Sequence, residues 1–585
     1  MKTKNIKRLE QKLQKKYNTT IKCSLVDQSI KLEGKLENWD QVVEAGYLAA
    51  KYPFKQVVND ITLPSGEGSL PAPKRSAEAQ IFSTLNPNPT KCDVLIIGAG
   101  IVGSAIAREL SKYNLSIALV EKDYDVAVHT SSRNDGMIHP GIAAHANSLK
   151  CKLNVRGSDL YHQVSEELGV PVRRCGSSIL FRSQISKVIK PYFWIKAKKI
   201  KMPGLSFMNT KAVYEMEPHL AKGVVWGVFC ASAGVTSPYK MTVAYAENAI
   251  MNGVKLHLNT EVTGMSVEGM EIVKVHTTKG DFETRLVINA AGVYTDVIAE
   301  MANDRYFSIH PRKGEVVLLD KKKAHLVSGI LGFVGDRSSK NTKGGGLIKT
   351  YEGNILVGPN AVETPLREDY QTDRESVAQM LAMKIPQVEG LRKEDTITYF
   401  AGIRAATYKE DFIIERSNRV ENLIHVAGIQ SPGFASAPAI AEMVESLVKT
   451  YYEENLSLKS KLTKKTDWNP IRPAIPDLAN MDYEQRQGYI VKNPDYGEIV
   501  CRCEEISRGE IVQALKSPIP VTSVDGVKRR VRAGMGRCQG GFCLPLVMEI
   551  IHEETGIALD HITKKEGHSQ VVIQKSTVEG GGGSD

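Results

Sequence analysis

Near the start of the chain, apolar side chains fall at every second position. Ile21, Cys23 and Leu25 form one such run, Ile30 and Leu32 resume it before Gly34, and Val57 to Leu63 make a third. A period of two is that of a half-buried strand. Residues 5–20 and Val42–Ala50 instead carry apolar residues at helical spacing, so residues 1–64 predict helix, strand, strand, helix, strand, a small independent α+β domain. Pro64, Pro71, Pro73, Pro87 and Pro89 then interrupt all periodicity, and 65–90 reads as a linker. From Asp93 the pattern changes again. Asp93–Ile97 is a short buried strand, a helical stretch follows, and Ile117–Val120 is a second buried strand. Further on, Val287–Asp296 ends a buried strand in small residues, and Val426–Val444 passes from a strand through glycines into a helix expected to begin near Ser436. A second break, 456–494, isolates residues 495–560, and 561–585 is a tail ending in GGGGSD, set aside from fold reasoning.

Between the strand at Asp93 and the helix after it lies G-x-G-x-x-G, formed by Gly98, Gly100 and Gly103. Gly98 permits the tight turn, Gly100 lets the backbone approach a pyrophosphate, and Gly103 lets helix and strand pack closely. The helix N-terminus directs unpaired N–H groups at the phosphates. Glu121, 18 residues beyond Gly103, ends the second strand where a ribose hydroxyl needs an acceptor. An acidic side chain there disfavours a 2′-phosphate, which leaves FAD or NAD.

The length of 585 residues calls for several domains, and 42% hydrophobic with 24% charged residues is ordinary globular composition. The net charge of +10 is spread over short runs such as Lys321–Lys323 without a recognition motif, so no nucleic-acid partner is expected. The Lys-rich N-terminus lacks the apolar core of a secretory signal, and the longest apolar stretch, Val94–Ala107, is too short and glycine-broken to span a bilayer. A cytoplasmic protein with no integral membrane segment is the expectation. Nine cysteines in such a chain argue against a disulfide framework. Cys23, Cys92, Cys151, Cys175 and Cys230 are scattered, as buried small hydrophobes are. Cys501, Cys503, Cys538 and Cys543 instead form C-x-C and C-x4-C pairs, a complete set of four thiolate ligands suited to zinc or a [2Fe-2S] cluster. The glycines of GMGRCQGGFC let backbone N–H groups turn toward sulfur, which favours the cluster.

Three separated segments, HTSSRNDGMIHPG (129–141), VINAAGVYTD (287–296) and VAGIQSPGFASAPAIAEMV (426–444), resemble in order those of the D-amino-acid oxidase-like flavoproteins. Within that superfamily the likeness is to the glycerol-3-phosphate and L-2-hydroxyglutarate dehydrogenase branch, over about residues 91–448 of an oxidoreductase domain expected at 91–455. The resemblance implies FAD as cofactor and a Rossmann-like FAD-binding domain interleaved with an antiparallel-sheet substrate domain. It implies that Ser132, Arg133 and Asn134 lie along the pyrophosphate and flavin, that Ala291 and Gly292 crowd the dinucleotide, and that Val262 meets the adenine. It brings Gly428, Ser431, Pro432 and Gly433 to the isoalloxazine. It also assigns Arg404 to an anionic substrate, with Arg312 and Lys313 as further positive charge. Arg404 has an alternative, an internal ion pair with Glu410 or Asp411. His139 is a candidate base, a flavin-packing residue or a covalent attachment point; Tyr408 and Lys409 are expected to be solvated. Asp135 and Pro140 depart from the common pattern of the branch, which bears on the substrate. Residues 499–556 resemble the bacterioferritin-associated-ferredoxin-like [2Fe-2S] module, a small helical domain, and residues 1–64 resemble the BON domain. The expected function is oxidation of a small anionic hydroxy compound at FAD, with electrons leaving through the cluster to a partner subunit in an oligomeric or heteromeric complex. An amine or opine oxidoreductase and an electron-transfer or assembly subunit are the alternatives.

Overall fold

The computed structural model describes residues 2–66, 88–334, 345–455 and 462–572. Pro71, Pro73, Pro87, residues 456–461 and the GGGGSD tail lie outside them. The chain forms two compact units, residues 1–472 and 473–585. No described helix is long and apolar enough to cross a membrane.

The first unit opens with α1 (Lys2–Tyr17), β1 (Lys22–Val26), β2 (Ser29–Lys35), α2 (Trp39–Ala50) and β3 (Val57–Thr62), the element order expected from the pattern. β1 and β2 are antiparallel, and β2 and β3 parallel. Asn38 starts α2 by accepting the Gln41 N–H. Leu9 and Leu13 of α1 pack with Ile21, Ile30, Leu32 and Val57 beneath them, but this core also takes in Tyr408 from far along the chain. The segment is therefore built into the larger unit rather than standing apart. Tyr408, expected in solvent, is buried because Asn59 donates to its hydroxyl at 2.9 Å and its ring stacks on His310. Lys409 likewise turns inward and donates to the carbonyls of Ala50 and Tyr52 at the end of α2.

The dinucleotide-type sheet is assembled around β4 (Thr90–Ile97) and β5 (Ile117–Val120), joined by α3 (Ile101–Leu110). Val94, Leu95, Ile96 and Ile97 are all buried, as a parallel strand covered on both faces must be. β4 pairs in parallel with β5 and with β6 (Gly280–Asn289). β5 pairs with Lys255–His257 and β6 with β9 (Leu423–Ala427), again in parallel. Between the visits to this sheet the chain builds a nine-stranded sheet in which β7 (Ile309–Leu319) lies antiparallel to β8 (Thr396–Thr407). The two sheets are interleaved along the chain. From β9 the chain turns through Gly428 into α4, Gly433–Glu454, about one turn earlier than Ser436.

The second unit is mostly helical. Tyr483–Lys492, Arg508–Leu515, Val524–Val531 and Leu544–Thr555 accompany a two-stranded ribbon of Ile499–Cys501 and Ile506–Ser507. Ser507 and Glu510 form a reciprocal capping box that starts the helix after the ribbon.

Candidate functional site

At the ends of β4, β6 and β9 two cavities of about 190 and 170 Å³ share Gly100, Thr130, Ser131, Ala290, Gly292 and Val293, so they form one elongated groove. The glycine loop forms its middle. A Cβ on Gly98 would stand 2.7 Å from the Ala290 carbonyl, and one on Gly103 only 1.9 Å from the Gly98 carbonyl. Gly103 therefore works from behind the wall by holding α3 against β4. Gly100 caps α3 without a side-chain acceptor and faces both cavities. The Ser131 hydroxyl accepts the Ile101 N–H at 2.9 Å, tying the 130–134 segment to the helix start.

Glu121 lies in the second cavity with Val262, Thr260 and Ala291. It accepts N–H groups of Ala99 (2.8 Å) and Asp123 (3.2 Å), and burial, with Asp123 beside it, pushes its carboxyl up to about 7. Each oxygen retains a lone pair for a hydroxyl donor. Arg133 and Asn134 line the first cavity, whereas Ser132 lines neither and donates to the His129 carbonyl. Asn134 donates to the carbonyls of Thr130 and Ser131 and so fixes the turn. Ser431, Pro432 and Gly433 line the first cavity at the uncapped N-terminus of α4. Gly428 does not reach it; its positive φ of 69° and its packing against Thr407 and Asp411 shape the turn instead.

The β7–β8 register sets Arg312 directly opposite Arg404. Like charges at such a pair repel, and the two side chains part company. Arg312 bonds Glu363 and Glu410 at 2.7 Å each and also donates to Tyr47 of α2 and to Gln430. Burial opposes its charge, but the two carboxylates outweigh that and hold its pKa above the usual range. Lys313 is engaged by Asp369 at 2.7 Å. Neither Arg312 nor Lys313 lines the cavity. Arg404 does: one nitrogen, Nη2, donates to the Asn360 carbonyl at 3.1 Å, while Nη1 is buried without a partner. Burial and the neighbouring Arg312 pull it down to about 10, against Asp135, which leaves it charged at neutral pH. The alternative ion pairs for Arg404 do not form. Glu410 serves Arg312, and Asp411 accepts the Leu149 and Lys150 N–H groups.

His139 lines the same cavity, with Nε2 3.5 Å from the Ser431 hydroxyl. Asp135 lines it too, whereas Pro140 does not. Sequence reasoning missed Gly314 and Gly402. A Cβ at Gly314 would meet the Arg404 guanidinium at 2.6 Å and one at Gly402 the Arg133 carbonyl at 2.4 Å, so both strands are bare where the cavity wall needs them to be. A glycine inside a strand pattern was the available signal. A buried donor with no acceptor, glycines that leave no room for a Cβ and two uncapped helix starts fit a bound dinucleotide and a small anion.

In the second unit the sulfurs of Cys501 and Cys503 are 4.0 Å apart and those of Cys503 and Cys538 3.8 Å, and the free thiols of Cys501 and Cys543 share a hydrogen bond. Burial raises Cys503 to about 11, and hydrogen bonding to Cys543 with burial raises Cys501 further. Cys538 goes the other way: slight burial is outweighed by N–H groups of Phe542, Gly540 and Gly541 aimed at its sulfur. A Cβ on Gly536 would stand 2.3 Å from the Cys503 sulfur. The lowered pKa of Cys538, the N–H donors around its sulfur and the glycine clearance beside Cys503 fit an iron–sulfur cluster.

Residues 499–553 match the model of the BFD-like [2Fe-2S] binding domain. Over 480 residues the chain is 37% identical to a glycerol 3-phosphate dehydrogenase of Caloramator mitchellensis, covering 82% of this chain and 98% of that protein. It is 30% identical to a glycerol 3-phosphate oxidase of Mycoplasma genitalium, over 65% of this chain and 97% of that one. The human mitochondrial L-2-hydroxyglutarate dehydrogenase is 28% identical, over 62% and 89% of the respective chains. Among solved structures, the dithionite-reduced L-alpha-glycerophosphate oxidase from Mycoplasma pneumoniae with FAD bound superposes with a TM-score of 0.59 at 27% identity, over 65% of this chain and 98% of that one. The enzyme's cofactors are FAD and a [2Fe-2S] cluster. Residues 93–447, which contain both cavities and the interleaved sheets, match the model of the FAD dependent oxidoreductases, and it is to this family that the chain belongs.

Proposed function

We propose that this oxidoreductase oxidises a small anionic hydroxy compound, with glycerol 3-phosphate the leading substrate and a 2-hydroxy acid such as L-2-hydroxyglutarate the next. The observation that carries the reading is Arg404, a buried guanidinium with an unused N–H, lining a cavity beside which Arg312 and Lys313 are already paired. A guanidinium grips phosphate or carboxylate through parallel hydrogen bonds. The names of the relatives point to the same two substrate classes.

FAD, when bound, supplies a two-electron hydride acceptor. The protein's own task is to hold the substrate and take its hydroxyl proton. Arg404 fixes the anionic end. His139, lining the same cavity beside Ser431, is the group placed to accept the proton at its imidazole. Asp135 supports the charge on Arg404 and limits how much negative charge the pocket accepts. A cluster held by Cys501, Cys503, Cys538 and Cys543 would supply a one-electron carrier for an acceptor subunit in a cytoplasmic assembly. The α–β–β–α–β order of residues 1–64 supports a BON-like domain, whose role is to complete the first unit around Tyr408 and Arg312.

The test is anaerobic mixing of FAD-loaded protein with glycerol 3-phosphate, L-2-hydroxyglutarate, glycerol and an amino acid. Bleaching of the flavin by the first or second, and by neither of the last two, is the expected result. Failure of both anions would replace this reading by that of an electron-transfer subunit.

A further inference from the structure

Residues 185–201 lie outside both cavities and the cysteine cluster. A 3-10 turn, Ile185–Ile189, runs into a helix, Lys190–Lys199. One side of that helix is anchored. Phe193 meets Phe181 edge-on at 6.1 Å, and Ala197 and Ile200 pack with it toward Trp226. Positions 193, 197 and 200 share one helical face. The other face repeats Ile185, Val188, Tyr192 and Ile195 at intervals of three or four, and Trp194, on an adjoining side, is exposed as well. Ile185 and Val188 are 81% and 75% exposed, Tyr192 and Ile195 59% and 58%, and Trp194 50%. Single exposed apolar residues are ordinary, but a row of them on one face marks an interaction surface.

Charge indicates what covers it. Between Glu167 and Glu215 the chain has no Asp or Glu. Lys187, Lys190, Lys198, Lys199 and Lys201 are interspersed along the same segment, and none forms an ion pair among the described residues. Lys198 instead sits 3.7 Å over the exposed Trp194 ring, while Lys190 lies over Trp226 on the anchored side. Protein–protein interfaces are depleted in lysine. Lysines around exposed Trp, Tyr and Ile suit the headgroup zone of a bilayer, where the rings sit at the boundary and the ammonium groups meet lipid phosphates.

We propose that residues 185–201 dock this enzyme, as a peripheral protein, on an anionic lipid surface. Ile185, Val188, Tyr192, Trp194 and Ile195 enter the headgroup region, and the interspersed lysines pair with lipid phosphates.

The experiment floats the full-length, FAD-loaded protein with vesicles of phosphatidylcholine containing phosphatidylglycerol, and with phosphatidylcholine alone. Binding to the anionic vesicles at low salt, weakened at high salt and much lower on the neutral ones, is expected. Trp194→Ser/Ile195→Ser should lower the partition coefficient about tenfold or more. Lys198→Glu/Lys199→Glu, which leaves the apolar row intact, should do the same. Flavin content and turnover with a soluble acceptor should match the parent in both variants. Absence of binding to anionic vesicles overturns the proposal, as does binding by both variants equal to that of the parent. A parent that is a dimer, becomes a monomer with Trp194→Ser/Ile195→Ser and binds no vesicles would make the row a contact between copies of the chain instead.

Discussion

Arg404 shows how a single guanidinium acquires a function by being left over. Its neighbour across the strand pair, Arg312, takes Glu363 and Glu410, so Arg404 keeps one nitrogen for a ligand. Arg404→Ala should weaken binding of the anionic substrate about tenfold to a hundredfold, the loss of a charge-assisted bond of about 1.5–3 kcal/mol. Flavin reduction at subsaturating substrate measures it, and FAD content should not change. Arg404→Lys should recover part of the loss, since a point charge cannot supply two parallel bonds. An unchanged rate in Arg404→Ala would show that the anion is held elsewhere. Glu410 makes a second test, through pH. Burial opposes its ionisation, but Arg312 holds its carboxyl down to about 2 from the ordinary 4.5. With a folded pKa below the unfolded one, its contribution is complete above pH 4.5 and disappears as the pH falls through about 2. Glu410→Gln should cost about 3 kcal/mol at neutral pH. Denaturant unfolding followed from neutral pH downward should show the gap between parent and variant closing over that acid range, and a gap independent of pH would contradict the assignment.

At the scale of elements, what is contiguous in sequence was legible and what is paired at long range was not. The strand–glycine–helix–strand run from β4 to β5 could be read outright, because the turn, the clearance at Gly98 and Gly103 and the acceptor at Glu121 lie within one short span. Gly103→Ala should therefore do more than loosen a turn. With its Cβ 1.9 Å from the Gly98 carbonyl, α3 must move off β4, and purified protein should retain little FAD and melt earlier. A fully flavinated Gly103→Ala protein would refute the packing role. The β7–β8 register, which separates Arg312 from Arg404, left no trace in local pattern. Tyr408 and Lys409 were misplaced in solvent for the same reason: in a run of polar residues nothing announces that Asn59, 349 positions earlier, waits for the Tyr408 hydroxyl. The row from Ile185 to Ile195 was not singled out in the sequence either, and the anchored Phe193 and Ala197 show which side of the helix is free.

On the scale of the whole molecule, the flavin groove and the cysteine set belong to different compact units. Cys538→Ser should abolish bound iron and acid-labile sulfide while the flavin spectrum stays that of the parent, a result read directly from metal analysis and absorbance. Loss of both cofactors together would mean that the units do not fold separately. The N-terminal element is the opposite case, since its core is closed by Tyr408, whose ring occupies the space a side chain at Gly46 would need. A ribosome adds about 5–20 residues per second, so the 349 residues between Asn59 and Tyr408 correspond to roughly 20–70 s of synthesis. For that interval the N-terminal element lacks the ring that closes its core and has an open socket where the ring belongs. The segment is thus completed long after it is synthesised, and a nascent chain halted before residue 408 should be digested by protease at α2 far faster than the released protein.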